Sequence, residues 1–148
     1  MNIYLASSWK NAPYLNTLAQ HLREAGHKVD CFCDPSLKRS VFKWDDLDIP
    51  PRTMDGMNAI HMLAQPKVRK AFKEDKKWLD WADVVVMVLP CGNSAHLEAG
   101  YAKGAGKKLI IYGTFPPGGR DVMYGFADAL IPESFMDLCA ALEKLKEK

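Results

Sequence analysis

The chain of 148 residues has the length of one domain and is too short for two with separate cores. At 48% hydrophobic and 26% charged it can bury a core, which excludes a disordered chain. Lys and Arg number 20 against 18 Asp and Glu, a formal charge of +2, so a nucleic-acid polymer is not an expected partner. No apolar run is long enough to span a membrane, the longest being Val84 to Pro90, and no membrane partner is expected. The opening Met1-Asn2-Ile3-Tyr4 lacks the basic segment and apolar stretch of a secretory signal. Cys31, Cys33, Cys91 and Cys139 are too few and too scattered for a disulfide framework, and read as reduced thiols in a cytoplasmic protein.

Ile3 to Ala6 is a short apolar strand. After Ser7-Ser8-Trp9-Lys10-Asn11 a helix carries Leu15, Leu18, Ala19 and Leu22 on one face, with Gly26 as its stop. His27 to Cys33 alternates as a second strand, with both thiols on one face and packing in the core. Residues 34–53, with Pro35, Pro50 and Pro51 around Phe42 and Trp44, form a long irregular connection of the kind that is usually functional or mobile. Helical signals run from Met54 to Trp81, interrupted at Pro66. Val84 to Leu89 is the strongest strand, and its lack of alternation predicts burial of both faces in the middle of a parallel sheet. A turn over Pro90 to Asn93 leads into a helix from Ser94 to Gly104, capped by Asn93 or Ser94. A fourth strand spans Leu109 to Tyr112, and a short fifth covers Ala129 to Ile131. Ser134 caps a closing helix that presents Phe135, Leu138, Cys139, Leu142 and Leu145 to the core.

Strands alternating with helices through right-handed crossovers predict a doubly wound, five-stranded parallel sheet flanked by helices, in one domain over residues 1–148. Ligands of such sheets bind at the carboxyl ends of the strands, where strand order reverses. Residues just after Ala6, Leu89 and Tyr112 therefore lie on the active edge. His21, His27, His61 and His96 show no paired spacing and no Cys-x-x-Cys exists, so no metal site is expected. Gly104-Ala105-Gly106-Lys107-Lys108 lies on the opposite edge and reads as a helix C-cap. Neither a dinucleotide glycine fingerprint nor a Walker loop follows the first strand.

The segment Pro90-Cys-Gly-Asn-Ser-Ala-His-Leu-Glu98-Ala-Gly-Tyr-Ala102 meets the edge criterion. Gly92, Asn93 and Ser94 open a helix whose amide groups offer an anion site, and Glu98 follows about one turn later. The small neighbours Ala95, Ala99, Gly100 and Ala102 let this helix lie close on the sheet and leave space above the carboxylate. An arbitrary Glu would read as a helix-surface charge, but at this edge of the sheet, after Ser94, the functional reading is preferred.

The block from Asp83 to Lys108, with its strand, turn and Glu-x-Gly-Tyr-Ala, resembles the nucleoside 2-deoxyribosyltransferase family, including the related deoxynucleoside 5'-monophosphate N-glycosidases. The opening Ile3-Tyr4-Leu5-Ala6 and, weakly, Asp121 to Asp128 extend the likeness over most of the chain. It implies a flavodoxin-like (Rossmann-like) fold and cleavage of a base from deoxyribose. On this resemblance Glu98 matches the nucleophilic glutamate and Tyr4 the tyrosine that orients it. Asp75, eight residues before Asp83, matches the aspartate that handles the base and its proton. On their own, Tyr4 also reads as a buried strand aromatic, and Asp75 as part of the solvated run Lys73 to Lys77.

Two departures stand out. Some transferases carry an acidic residue six positions before the nucleophile, where this chain has Gly92, with Ser94 the nearer polar group. The family's C-terminal region lends an Asn or Ser to a neighbouring subunit, and the counterpart here is Asp121. That carboxylate would repel a 5'-phosphate, whereas Ser7, Ser8, Lys10 and the amides near Ser94 suit an anion, so nucleoside and nucleotide both stand. Trp9, Phe42 and Trp44 are candidates to stack on the base, or loop anchors. The reaction implied is a double displacement at the N-glycosidic bond through a glycosyl-Glu98 ester, without cofactor or metal. A homo-oligomer that completes the site is the implied working unit. Two alternatives remain: an NAD glycohydrolase related to TIR domains, and a nucleotide-sensing module without turnover.

Overall fold

A computed structural model describes residues 1–39, 42–43, 46–47, 59–115, 117–119 and 121–147. Strands β1 (Asn2–Ala6), β2 (Lys28–Cys31), β3 (Val84–Leu89), β4 (Lys108–Gly113) and β5 (Ala129–Ile131) form one sheet in the order β2-β1-β3-β4-β5. Every pairing is parallel. The helices are α1 (Ala12–Glu24), α2 (Ala59–Ala64), α3 (Pro66–Trp81), α4 (Asn93–Gly104) and α5 (Phe135–Lys146). This is the doubly wound α/β arrangement expected from the sequence, with strand order reversing between β1 and β3.

Two cores explain the uniform apolarity of β3. Val84, Val86 and Val88 point with Ile3 and Leu5 toward Leu15, Leu18 and Leu22 of α1 and Leu138 and Leu142 of α5. Val85, Met87 and Leu89 point with Tyr4 and Ala6 toward Leu79 of α3 and Ala95, Ala99 and Ala102 of α4. Each fully buried aliphatic side chain stabilises the fold by roughly 1.5–3 kcal/mol. The alanines of α4 let its backbone approach the sheet, and that brings Glu98, on the same helix, to the level of β1.

Several local expectations change. β2 ends at Cys31, because the chain turns at Phe32 and Cys33 with Asp34 N–H donating to the Cys31 carbonyl. Cys33 is therefore off the strand, yet its sulfur lies 3.4 Å from that of Cys31 and both meet the Asn16 amide oxygen. Neither Asn93 nor Ser94 caps α4: the helix starts one residue early, Gly92 occupies the cap, and no side chain bonds the first-turn amides. Ser134 does cap α5, accepting from Asp137 N–H. The helical signal beginning at Met54 falls partly outside the described residues, which resume with α2. Trp44, Pro50 and Pro51 also lie outside them.

Gly113 ends β4 opposite Leu89 with φ +112°, and a β-carbon there would sit 2.8 Å from the Leu89 carbonyl oxygen. Gly113→Ala is expected to cost about 2–4 kcal/mol, since it adds both an unfavourable backbone conformation and a backbone clash in the central ladder. Thermal or urea unfolding measures it.

Candidate active site

Tyr4 lies at the middle of β1 and is only 1% exposed. Its hydroxyl donates to Glu98 Oε1 at 3.1 Å, across the gap between sheet and α4. On β2, in register with Tyr4 and therefore on the same face, stands Asp30, also 1% exposed. Arg39 reaches back from the segment after β2. Its Nη1 donates to Asp30 Oδ2 at 2.7 Å and its Nη2 to Asp75 Oδ1 at 2.6 Å, while the guanidinium carbon lies 5.6 Å from the Tyr4 ring centre. Tyr4, Glu98 and Asp75, chosen from the sequence, thus come together around one buried cation.

Three carboxylates share that single guanidinium, so they cannot all ionise easily. Burial pushes Glu98 up to about 7, helped by the charge of Asp75, while the Tyr4 hydrogen bond and Arg39 pull the other way. Burial likewise lifts Asp30 to about 6 against the pull of Arg39. Asp75 is raised too, by burial and by Glu74 against Arg39; its side chain keeps 46% of its surface, so solvent tempers the effect. Burial opposes the Arg39 cation, but Asp30, Tyr4 and Asp75 outweigh it and hold its pKa up. Burial, then Glu98 and Asp75, raise the Tyr4 phenol well above its usual range, so it stays a donor.

The other sequence candidates surround this cluster or lie beside it. Ser7 stitches the two strand ends at the switch point: its hydroxyl donates to the Val88 carbonyl at 2.8 Å and accepts from Asn11 Nδ2 at 2.9 Å. Asn11 also donates to the Pro90 carbonyl at 2.8 Å. Ser8 accepts from Lys10 N–H and caps the 3-10 turn over Trp9–Asn11. Trp9 is exposed, edge-on to Phe32 at 4.9 Å, with Lys43 Nζ 5.2 Å from its ring centre. Gly92, Asn93 and Ser94 are exposed at the start of α4.

Asp121 sits apart from the Tyr4–Glu98 pair, on the rim of an open hollow of about 260 Å³ with Leu89, Cys91, His96 and Tyr124. There its Oδ1 accepts from Met123 N–H. His96, dismissed as a metal ligand, bridges the Gly92 carbonyl at 2.8 Å and the Tyr124 hydroxyl at 3.0 Å. Cys91 connects the two regions: burial pushes its thiol up to about 11, aided by the charge of Glu98.

Asp30 and Arg39 were not singled out from the sequence. A lone carboxylate between Val29 and Cys31 in a short apolar strand was the available signal for Asp30. Nothing in the irregular segment marked Arg39.

No family model and no curated protein matches the sequence. Solved structures do match in fold. A 2-deoxyribosyltransferase from Bacillus psychrosaccharolyticus superposes with a TM-score of 0.58 at 20% identity, over 93% of this chain and 90% of that one. A CMP N-glycosidase from Clostridium botulinum gives 0.54 at 16% identity, over 97% and 99%. A conserved protein from Enterococcus faecalis gives 0.61 at 12% identity, over 97% and 98%. Over nearly its whole length, the chain therefore resembles in fold the structures of a deoxyribosyltransferase and an N-glycosidase.

Proposed function

We propose that this protein cleaves the N-glycosidic bond of 2'-deoxyribonucleosides or their 5'-monophosphates and passes the sugar to a second base or to water. The observation that carries the reading is the Tyr4–Glu98 hydrogen bond of 3.1 Å beside Asp75, at the switch point of a doubly wound sheet. The matching folds of a deoxyribosyltransferase and an N-glycosidase support it.

Glu98 Oε attacks the anomeric carbon as the bond to the base breaks, giving a glycosyl ester. Asp75 supplies the proton that the leaving base takes up. In the second step an acceptor base or water attacks the same carbon, releases the Glu98 carboxylate and returns a proton to Asp75. The shared negative charge of the site suits this division of labour. A proton on Asp75 relieves the repulsion on Glu98, so the state with an acid at Asp75 is also the one with a nucleophile at Glu98. Tyr4 keeps that nucleophile aimed while its high pKa retains the donor proton.

In this reading Ser7 and Ser8 shape the sugar side of the site through the loops they tie. Trp9, Gly92, Asn93 and Ser94 are assigned to substrate binding as well, and Asp121 contributes from the neighbouring hollow or to a second subunit. A homo-oligomer is supported by the exposed apolar side chains Leu97 on α4 and Val122, Met123 and Phe126 in the 3-10 turn between β4 and β5. Sedimentation should then show a dimer or larger species.

Incubation with ribo- and deoxynucleosides, their 5'-monophosphates and NAD, with and without an acceptor base, tests the reaction. Free base from 2'-deoxy substrates, with NAD left intact, is expected. No product from any deoxy substrate, or consumption of NAD alone, overturns the proposal.

A further inference from the structure

Arg39 is a buried, doubly ion-paired side chain beside the site that has no part in the steps above. Only 2% of its side chain is exposed, so it cannot offer a substrate more than a sliver of surface. Both arms of its fork are nevertheless committed. One holds Asp30, whose own side chain is fully buried, and the other holds Asp75, which is open to the cleft. Its guanidinium carbon lies over the ring of Tyr4, 5.6 Å from the ring centre. Asp30 Oδ1 meets no hydrogen-bond donor among the described residues, so Arg39 is the one partner found for that carboxylate.

Stability is a poor explanation for such an arrangement. Desolvating two charges costs about as much as their attraction returns, and apolar replacements of similar volume are often neutral or better. A two-armed planar cation does fix geometry, since its arms lie in one plane at a set spacing, which a lysine ammonium cannot reproduce.

We propose that Arg39, anchored on Asp30, is a positioning residue for the reaction: it fixes the rotamer of Asp75 toward the base and steadies Tyr4 against Glu98. The inference rests on the reaction proposed above. Asp30 is the fixed end of this relay because it sits on β2 in register with Tyr4, so the sheet itself sets the distance between anchor and phenol. The charges facing Glu98 are Asp75 from α3, Arg39 from the segment after β2, and Asp30 from β2; Tyr4 of β1 donates to it. Asp75 in turn faces Arg39 and its neighbour Glu74. Arg39 is the one cation in this group, so its removal shifts the titration of Glu98 upward.

Two variants test the proposal. The Asp30→Leu/Arg39→Met double variant removes both buried charges together and leaves no orphan. Arg39→Lys keeps the charge and loses the fork. In the double variant kcat is expected to fall by about 10–100-fold with KM changed less than about threefold, as for other groups that orient a reacting side chain. The acidic limb of its kcat/KM profile and the carbon-13 NMR titration of the labelled Glu98 carboxyl move modestly to higher pH, because the lost pull of Arg39 exceeds the lost repulsion of Asp30. Arg39→Lys is expected to lose about tenfold in kcat while its Glu98 titration stays near that of the wild type. A double variant with wild-type kcat and wild-type Glu98 titration overturns the proposal. If that variant does not fold, wild-type kcat in Arg39→Lys overturns it instead. Should the wild type release no base from any substrate, the reaction itself falls, and the carboxyl titration still decides whether Arg39 governs the site.

Discussion

Glu98→Ala is expected to fold like the wild type and to lose at least about 10³-fold in base release from every substrate that the wild type cleaves. Glu98 lies on a helix held to the sheet by Ala95, Ala99 and Ala102, so truncating its side chain leaves that packing intact. The wild type should also lose kcat/KM as pH falls through about 7, because the proposed mechanism needs Glu98 as a carboxylate and burial lifts its pKa to that value. A second readout separates a reacting carboxylate from a structural one. The folded pKa of Glu98 lies above its unfolded value of 4.5, so this side chain stabilises the fold only while protonated. Its contribution is full below pH 4.5 and is lost as pH rises to about 7. Glu98→Gln keeps an acceptor for Tyr4 and abolishes the titration. It should therefore be more stable than the wild type at pH 8, by on the order of 1–3 kcal/mol, and about equal to it near pH 4. An active Glu98→Ala variant removes the nucleophile from the proposal. A Glu98→Gln variant without the alkaline gain in stability removes the buried-charge argument.

How far the site was legible depends on the range over which each signal acts. β3 was plain because six consecutive apolar residues must be covered on both faces, and the structure covers them with two different helix pairs. Once β3 was central, Glu98 followed from topology, since the helix after its carboxyl end opens on the active edge. Asp75 was different. By composition it was one acid of a charged helix, with nothing to set it above Asp80 on the same helix or Asp83 just beyond it. The structure separates them: Asp80 pairs with Lys76 and Tyr101 at the surface, and Asp83 accepts from the Asn2 amide at the amino end of the sheet. Of these three acids only Asp75 faces Arg39, and that contact spans 36 positions of sequence through an irregular segment. No periodicity carries information across such a segment, so Arg39 and the Asp30 anchor became visible only in three dimensions. The cap of α4 failed for a smaller reason. Asn93 and Ser94 are good capping residues, but Gly92 already occupies the extended position, and propensity does not fix a boundary to one residue.

Asp75→Asn offers the sharpest test of the chemistry, because its effect should depend on the leaving group. A neutral base departs as an anion unless it is protonated, and in the proposed mechanism a carboxylic acid at position 75 supplies that proton. Its loss is expected to lower kcat by about 10²–10⁴-fold for ordinary purine or pyrimidine deoxynucleosides. A 7-methylpurine deoxynucleoside already carries a positive charge on its base and leaves without an added proton. The same variant should then lose much less with that substrate, about tenfold or under, from imperfect placement alone. The pH profile adds a sign that a misfolded site would not produce. Asp75 raises Glu98 by like-charge repulsion, so removing its charge lets Glu98 ionise at lower pH and moves the acidic limb downward. Removal of Arg39 moves the same limb upward, because the cation favours the Glu98 carboxylate. Opposite displacements from two residues joined by a 2.6 Å ion pair would identify Glu98 as the titrating group. Equal losses with both classes of substrate, and an unmoved acidic limb, would leave Asp75 as an ion-pair partner of Arg39 and take the proton donor out of the mechanism.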